Sequence, residues 1–425
     1  MRNLILILAL LLIQSCATKK EITLTEKELS EIPSGDLYNA TKDFSDTSLK
    51  ELQSRLDIYS KSYDYAVNSG EWTYSKQYDL SEIPVVVIYW DSKENNIDGA
   101  YLFSPKDKFN VKKTVPVDLK EKPKDGAQWY QLNNEEFLKN ILVSKVKDKA
   151  YGYGVYAENN KRYLYLIMYK QFVEQTKDSP ENVVGNIAYY IHEAFHYYPQ
   201  KDYVWPSKEL ESIRFKIPAE YPADATSFSY IAAGEKLFDN ILFQDNHDWL
   251  SYAKMQYIIY KKLLDADTSE KQYVKNYFLY FNWVEGIPRF IEYSITMGSG
   301  DMTDKALKMF TGYDSFLRNI KGDIEKKNTT MVMNGEKIVT RYGYLLNYPL
   351  YDLGASSSFI LENLDVNVLD WAKKGMNHYE MFEKYFEEND IEIDEDAVTE
   401  DVKSLIPWEE TNVMMQDYID LWKDL

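Results

Sequence analysis

The residues best suited to chemistry stand together in Ile191-His192-Glu193-Ala194-Phe195-His196. On a helix, residues four apart lie one turn above each other, so His192 and His196 point the same way and can share one metal ion. Glu193 follows the first histidine, where its carboxylate can reach a water held at the metal. Two imidazoles, a carboxylate base and an open coordination position are what a zinc hydrolase needs. The chain has four histidines, the others being His247 and His378, so this pairing uses a scarce residue twice.

That chemistry requires a helix, and the flanks predict one. Ser179 suits the N-cap, Pro180 the first helical position and Glu181 the first turn. Val184, Ile187, Ala188, Ile191 and Phe195 fall at helical spacing, and Pro199 stops the helix after Tyr198. Ahead of it, Tyr151 to Tyr156 and Arg162 to Tyr169 flank Glu158-Asn159-Asn160-Lys161, a hairpin signal. Ile83 to Trp90 is a β-branched run with which Gly99 to Phe103 can pair. Helical spacing also marks Ser48 to about Val67, and Asn133 to Val146 reads as a short helix.

Beyond residue 180 the pattern is almost all helical. Tyr221-Pro222-Ala223-Asp224 opens a helix through about Phe243, with Phe228, Ile231, Leu237 and Ile241 as core candidates. Asp248 to Asp265 and Ser269 to Trp283 follow, then runs near 303–320, 349–363, 378–388 and 411–424. The acidic stretch from Glu387 to Glu400 reads as a solvated loop. The expected fold class is α+β, a small antiparallel sheet packed on a largely α-helical region.

The totals narrow the function. The chain has 425 residues, 45% hydrophobic, enough for a sizeable core. A formal charge of −19 argues against nucleic acid as a partner. The 37 tyrosines suit sugar platforms, but a composition bias explains them more simply. Met1-Arg2-Asn3, the apolar run Leu4 to Ile13 and then Gln14-Ser15-Cys16 read as a secretory signal, too short to span a membrane. Ile13-Gln14-Ser15-Cys16 resembles a bacterial lipoprotein signal, with Gln14 departing from the usual small residue. That resemblance implies that Cys16, the only cysteine, becomes a lipidated N-terminus anchored to the outer membrane or the periplasmic face. The expected organisation is then a signal peptide over 1–15, a tether over 16–46, an α/β region over 47–178 and a mainly helical metal-binding region over 179–425.

A zinc site needs a third ligand, and the candidate is Glu285, in Trp283-Val284-Glu285-Gly286-Ile287-Pro288-Arg289-Phe290-Ile291-Glu292-Tyr293. This string resembles that of bacterial gluzincin metallopeptidases, which pair H-E-x-x-H with a glutamate on a later helix. The likeness extends to the Tyr221–Ala225 helix start and covers roughly residues 150–300. It implies a zincin-like catalytic domain, Zn²⁺ as cofactor, Glu285 as third ligand and a peptide or protein substrate. It also implies a sheet over the active-site helix, whose edge strand aligns an extended peptide. Pro288 departs from the pattern and breaks one helical bond to Val284. If the helix does not restart near Glu285, Glu292 becomes a rival ligand, or else an acceptor for a histidine N–H. The oxyanion donor is sought among Tyr342, Tyr344, Tyr348 and Tyr351. An alternative reading keeps the fold as a non-catalytic envelope lipoprotein, a binding or scaffold module. A glycan-binding protein, the third reading, leaves the H-E-x-x-H unexplained.

Overall fold

The computed structural model describes residues 46–423 apart from 75, 92–95, 110, 121, 148–152, 170–179, 205–223, 271, 327–329, 334–335 and 340–347. The signal, Cys16, the tether, Ser179, Tyr342 and Tyr344 therefore lie outside the described residues. The chain forms two compact units. Among the described residues, one holds those within 46–201 and 292–306, the other those within 202–291 and 307–423.

The first unit opens with α1 (Asp46–Asn68) and continues into β1 (Val85–Asp91), β2 (Asn96–Ser104), β3 (Thr114–Pro116) and β4 (Gln128–Leu132). After α2 (Glu135–Lys147) come β5 (Tyr153–Glu158), β6 (Lys161–Tyr169) and α3 (Pro180–Tyr197). The six strands make one sheet in the order β3-β4-β2-β1-β6-β5. The β5–β6 hairpin forms as its turn residues predict, with Tyr153 opposite Leu166, and Asn159 and Asn160 at positive φ in the turn. β2 pairs with β1 as expected, Val85 opposite Phe103.

The expected antiparallel sheet needs correcting. β1 and β6 run parallel, Val85 opposite Leu164, so the sheet is mixed. The cause is burial. Val85, Val86, Val87 and Ile88 are all buried, so β1 is a central strand covered on both faces, where parallel pairing is at home. The overall class remains α+β.

The second unit carries α4 (Ala225–Phe243) and α5 (Trp249–Ala266), capped by Asp224 and Asp248, whose side chains accept from Ser227 N and Ser251 N. Phe228, Ile231, Leu237 and Ile241 are core residues, as their spacing predicts. The helix expected over Ser269 to Trp283 forms from Tyr273, takes a π-helical turn at Val274–Phe278 and runs on past Trp283 as α6 (Leu279–Gly298), whose residues from Glu292 on belong to the first unit. Pro288 lies inside α6 and does not end it. Trp283, Val284, Ile287, Phe290 and Ile291 are all buried, and a helix buried nearly all round is held by its packing.

α7 (Asp304–Phe310) and α8 (Tyr313–Lys326) replace the single run near 303–320, because Gly312 at φ +83° breaks it. After the small hairpin β7 (Thr330–Met333) and β8 (Glu336–Val339) come α9 (Tyr348–Asn363), α10 (Val368–Lys373), α11 (His378–Glu388), α12 (Glu395–Ser404) and α13 (Trp408–Lys423). α12 overturns the expected acidic loop. Asp394 caps it by accepting from Ala397 N, and Glu395 and Asp396 sit in the first turn, where the helix dipole favours negative charge. Val398 and Val402, one turn apart, bury its inner face. Among the described residues no helix is long and apolar enough to cross a membrane.

Candidate metal centre

α3 places His192, Glu193 and His196 together, all buried, with one potential ligand atom from each lying within 4.8 Å of the others. The helix is pinned on both sides of the motif. Tyr78 Oη donates to the Ile191 carbonyl at 2.7 Å, and its ring meets Phe195 edge-on at 5.3 Å. At the C-terminal end, Arg162 of β6 donates from Nη2 to the Tyr197 carbonyl at 2.9 Å, a cation where the helix dipole favours one. Tyr198 Oη returns a bond to the Arg162 carbonyl at 2.8 Å. The hairpin ahead of the motif thus fixes the motif's helix.

Each imidazole is oriented from behind. His192 Nδ1 lies 3.1 Å from Glu292 Oε2, and His196 Nδ1 donates to Gln200 Oε1. With hydrogens on both Nδ1 atoms, each ring turns the lone pair of Nε2 forward. The two Nε2 atoms lie 3.0 Å apart. Two lone pairs at that distance repel unless a cation, a metal ion or a proton, lies between them. Tetrahedral zinc, with Zn–N near 2.0–2.1 Å, calls for N···N of roughly 3.3 Å, a few tenths of an ångström away. The donor set therefore fits a metal of the kind that imidazole and carboxylate bind.

Glu292 takes the second of its two expected roles, as acceptor for a histidine N–H on the side of the ring away from Nε2. Glu285 is buried on α6, in the unit that does not hold the His192–Glu193–His196 cluster. Sequence reasoning missed Gln200. It follows His196 by four positions, but Pro199 closes the helix between them, and Gln200 reaches back from a short 3-10 turn. It also missed Tyr189, which stacks on His192 with ring centroids 6.4 Å apart and meets Tyr153 of β5 at 5.7 Å. Its place three residues before His192 was the available signal.

Of the tyrosines considered as oxyanion donors, Tyr351 is buried, with the Arg289 guanidinium 6.0 Å above its ring. Tyr348 begins α9. The other two histidines have structural partners. His247 stacks on Trp249 at 4.4 Å, and His378 joins a buried polar network. Comparisons with protein-family models, with curated proteins and with solved structures find no match.

Proposed function

We propose that the chain is a zinc-dependent hydrolase of the gluzincin type, a metallopeptidase of the cell envelope. His192 and His196 serve as metal ligands and Glu193 as general base. The observation that carries the reading is the convergence of the two Nε2 atoms at 3.0 Å, with each Nδ1 held by an oxygen acceptor. A zinc ion held by His192 and His196 would supply a water of lowered pKa and a Lewis acid for the carbonyl. Glu193 then takes the proton of the attacking water and returns it to the leaving amine. Glu292 and Gln200 keep both rings in the ligating tautomer. β5, an edge strand of the sheet, offers backbone donors and acceptors to an extended peptide. The gluzincin likeness assigns the third ligand to Glu285, and the lipoprotein-like signal assigns the anchor to Cys16.

The test uses the soluble chain from residue 20 onward, with His192→Ala, Glu285→Ala and Glu193→Gln beside it. About one zinc per chain is expected in the parent and in Glu193→Gln, and loss of zinc in the other two. Glu193→Gln is expected to lose hydrolysis of a mixed peptide library. Full activity in that variant would overturn the mechanism. Zinc retained in Glu285→Ala would remove Glu285 from the ligand set.

A further inference from the structure

Helices α8 and α13 leave a groove of about 370 Å³ between them. Its walls are apolar, with Leu317 and Ile324 from α8 facing Met414 from α13. At its base Tyr313 Oη and Thr411 Oγ1 lie 3.1 Å apart, which satisfies both hydroxyls within the wall. Leu317 and Ile324 are two helical turns apart, about 10 Å, with the exposed Lys321 between them, and both are only partly buried. A pair of packed helices would normally bury such side chains.

The groove is also charged. Lys321, Glu325, Glu410 and Asp417 line it, three carboxylates against one ammonium, and all four are exposed. An apolar floor with an acidic rim suits a ligand with the opposite pattern, apolar on one side and basic at its edges. The floor's length matches two turns of helix, enough for anchors at i and i+3 or i+4 and at i+7.

We propose that the α8–α13 groove is a docking site for a short basic amphipathic helix. Two or three of that helix's apolar side chains lie on Leu317, Ile324 and Met414. Its lysines or arginines face Glu325, Glu410 and Asp417. The site is independent of the metal centre, and its occupant is a binding partner rather than a substrate.

The experiment is a calorimetric titration of the soluble chain with a helical peptide of leucine and lysine, about four turns long, the leucines on one face. A Leu/Glu peptide of the same pattern and a Ser/Lys peptide serve as comparisons. One-to-one binding of the Leu/Lys peptide is expected, with each comparison peptide at least about tenfold weaker. The double variant Glu325→Lys, Asp417→Lys changes exposed side chains away from any helix N-terminus, so folding is not at stake. It is expected to weaken binding by about tenfold or more, and so is Leu317→Ser with Met414→Ser. Equal binding by the charge-reversed variant would mean that the chain's overall acidity attracts the peptide, and would overturn the proposal. So would equal binding of the Leu/Glu or Ser/Lys peptide, or no binding at all.

Discussion

His192 Nδ1 and Glu292 Oε2 lie 3.1 Å apart with both side chains buried, so a carboxylate near the end of α6 fixes which nitrogen of His192 faces forward. An acceptor behind a ligating histidine sets its tautomer and raises its basicity, an effect worth about 10–100-fold in metal affinity. On the metal site proposed above, Glu292→Ala is therefore expected to keep the fold and weaken metal binding by that factor. Glu292→Gln, which keeps an oxygen acceptor, should fall in between. Competition against a chromophoric chelator measures both. Affinity unchanged in Glu292→Ala would show that the contact does not tune the site.

The spacing of His192 and His196 and the apolar periodicity around them made the centre's core legible, because both follow from helix geometry alone. The partners behind the rings were less so. Gln200 acts from beyond Pro199, where periodicity has ended, and Glu292 was seen only as one of two options. The Glu285 string fixes a position along a helix but not what the side chain meets. The parallel pairing of β1 with β6 was hidden because a strand's sequence shows its faces and not its distant neighbour. In α12 the cap, Asp394, was visible, but the charge of the surrounding stretch outweighed it. The π turn before α6 left no sequence signal that we can identify.

His378 is the hub of a buried network in the 202–291 and 307–423 unit. Its Nδ1 lies 2.9 Å from Asn282 Oδ1 and its Nε2 2.9 Å from Ser358 Oγ. Tyr260 Oη donates to the same Asn282 oxygen at 2.8 Å. The arrangement resembles a serine–histidine–asparagine relay, but Ser358 and His378 are both fully buried, so it braces helices instead. Burial pushes the His378 pKa down from 6.5 to about 3. The folded state thus keeps His378 neutral while the unfolded chain protonates it below 6.5. The associated stability is present above pH 6.5 and is lost as pH falls towards 3, by up to about 1.4 kcal/mol per pH unit. Urea unfolding at pH 7.5, 6 and 5 should show the decline. His378→Asn should be less stable at pH 7.5 and show a flatter slope. Equal slopes would refute the assignment.

Glu235 of α4 has the opposite sign. It is buried against Asp352, and desolvation first, then the Asp352 and Asp239 charges, raise its pKa well above 4.5. Asp352 is itself held by Thr311 Oγ1 at 2.6 Å and by Arg289 Nε at 3.4 Å. Glu235 is therefore the member that keeps its proton. Its contribution is complete below pH 4.5 and is lost as pH rises towards the folded-state pKa. Glu235→Gln keeps a donor for Asp352 and cannot ionise. Its stability relative to the parent should grow between pH 5 and 8, read from the same urea midpoints. Parallel curves would mean that Glu235 is ionised in the fold.

α6 and α9 cross at their glycines, and this contact sets how closely the helix bearing Glu285 can pack. A Cβ added to Gly286 would lie 2.3 Å from Gly354 Cα, and one added to Gly354 2.1 Å from the Asn282 carbonyl oxygen. Both obstacles are backbone, which cannot turn aside, so Gly286→Ala must part the helices. A cost of about 3 kcal/mol or more is expected, at the upper end for overpacking. Gly234→Ala is the matched control. There the nearest atoms, 3.1–3.3 Å away, belong to the flexible Leu353 side chain, and alanine in mid-helix returns about 1 kcal/mol. Thermal unfolding should separate the two variants clearly. If they are equally stable, α6 has room to move at this crossing, and the position of Glu285 does not depend on it.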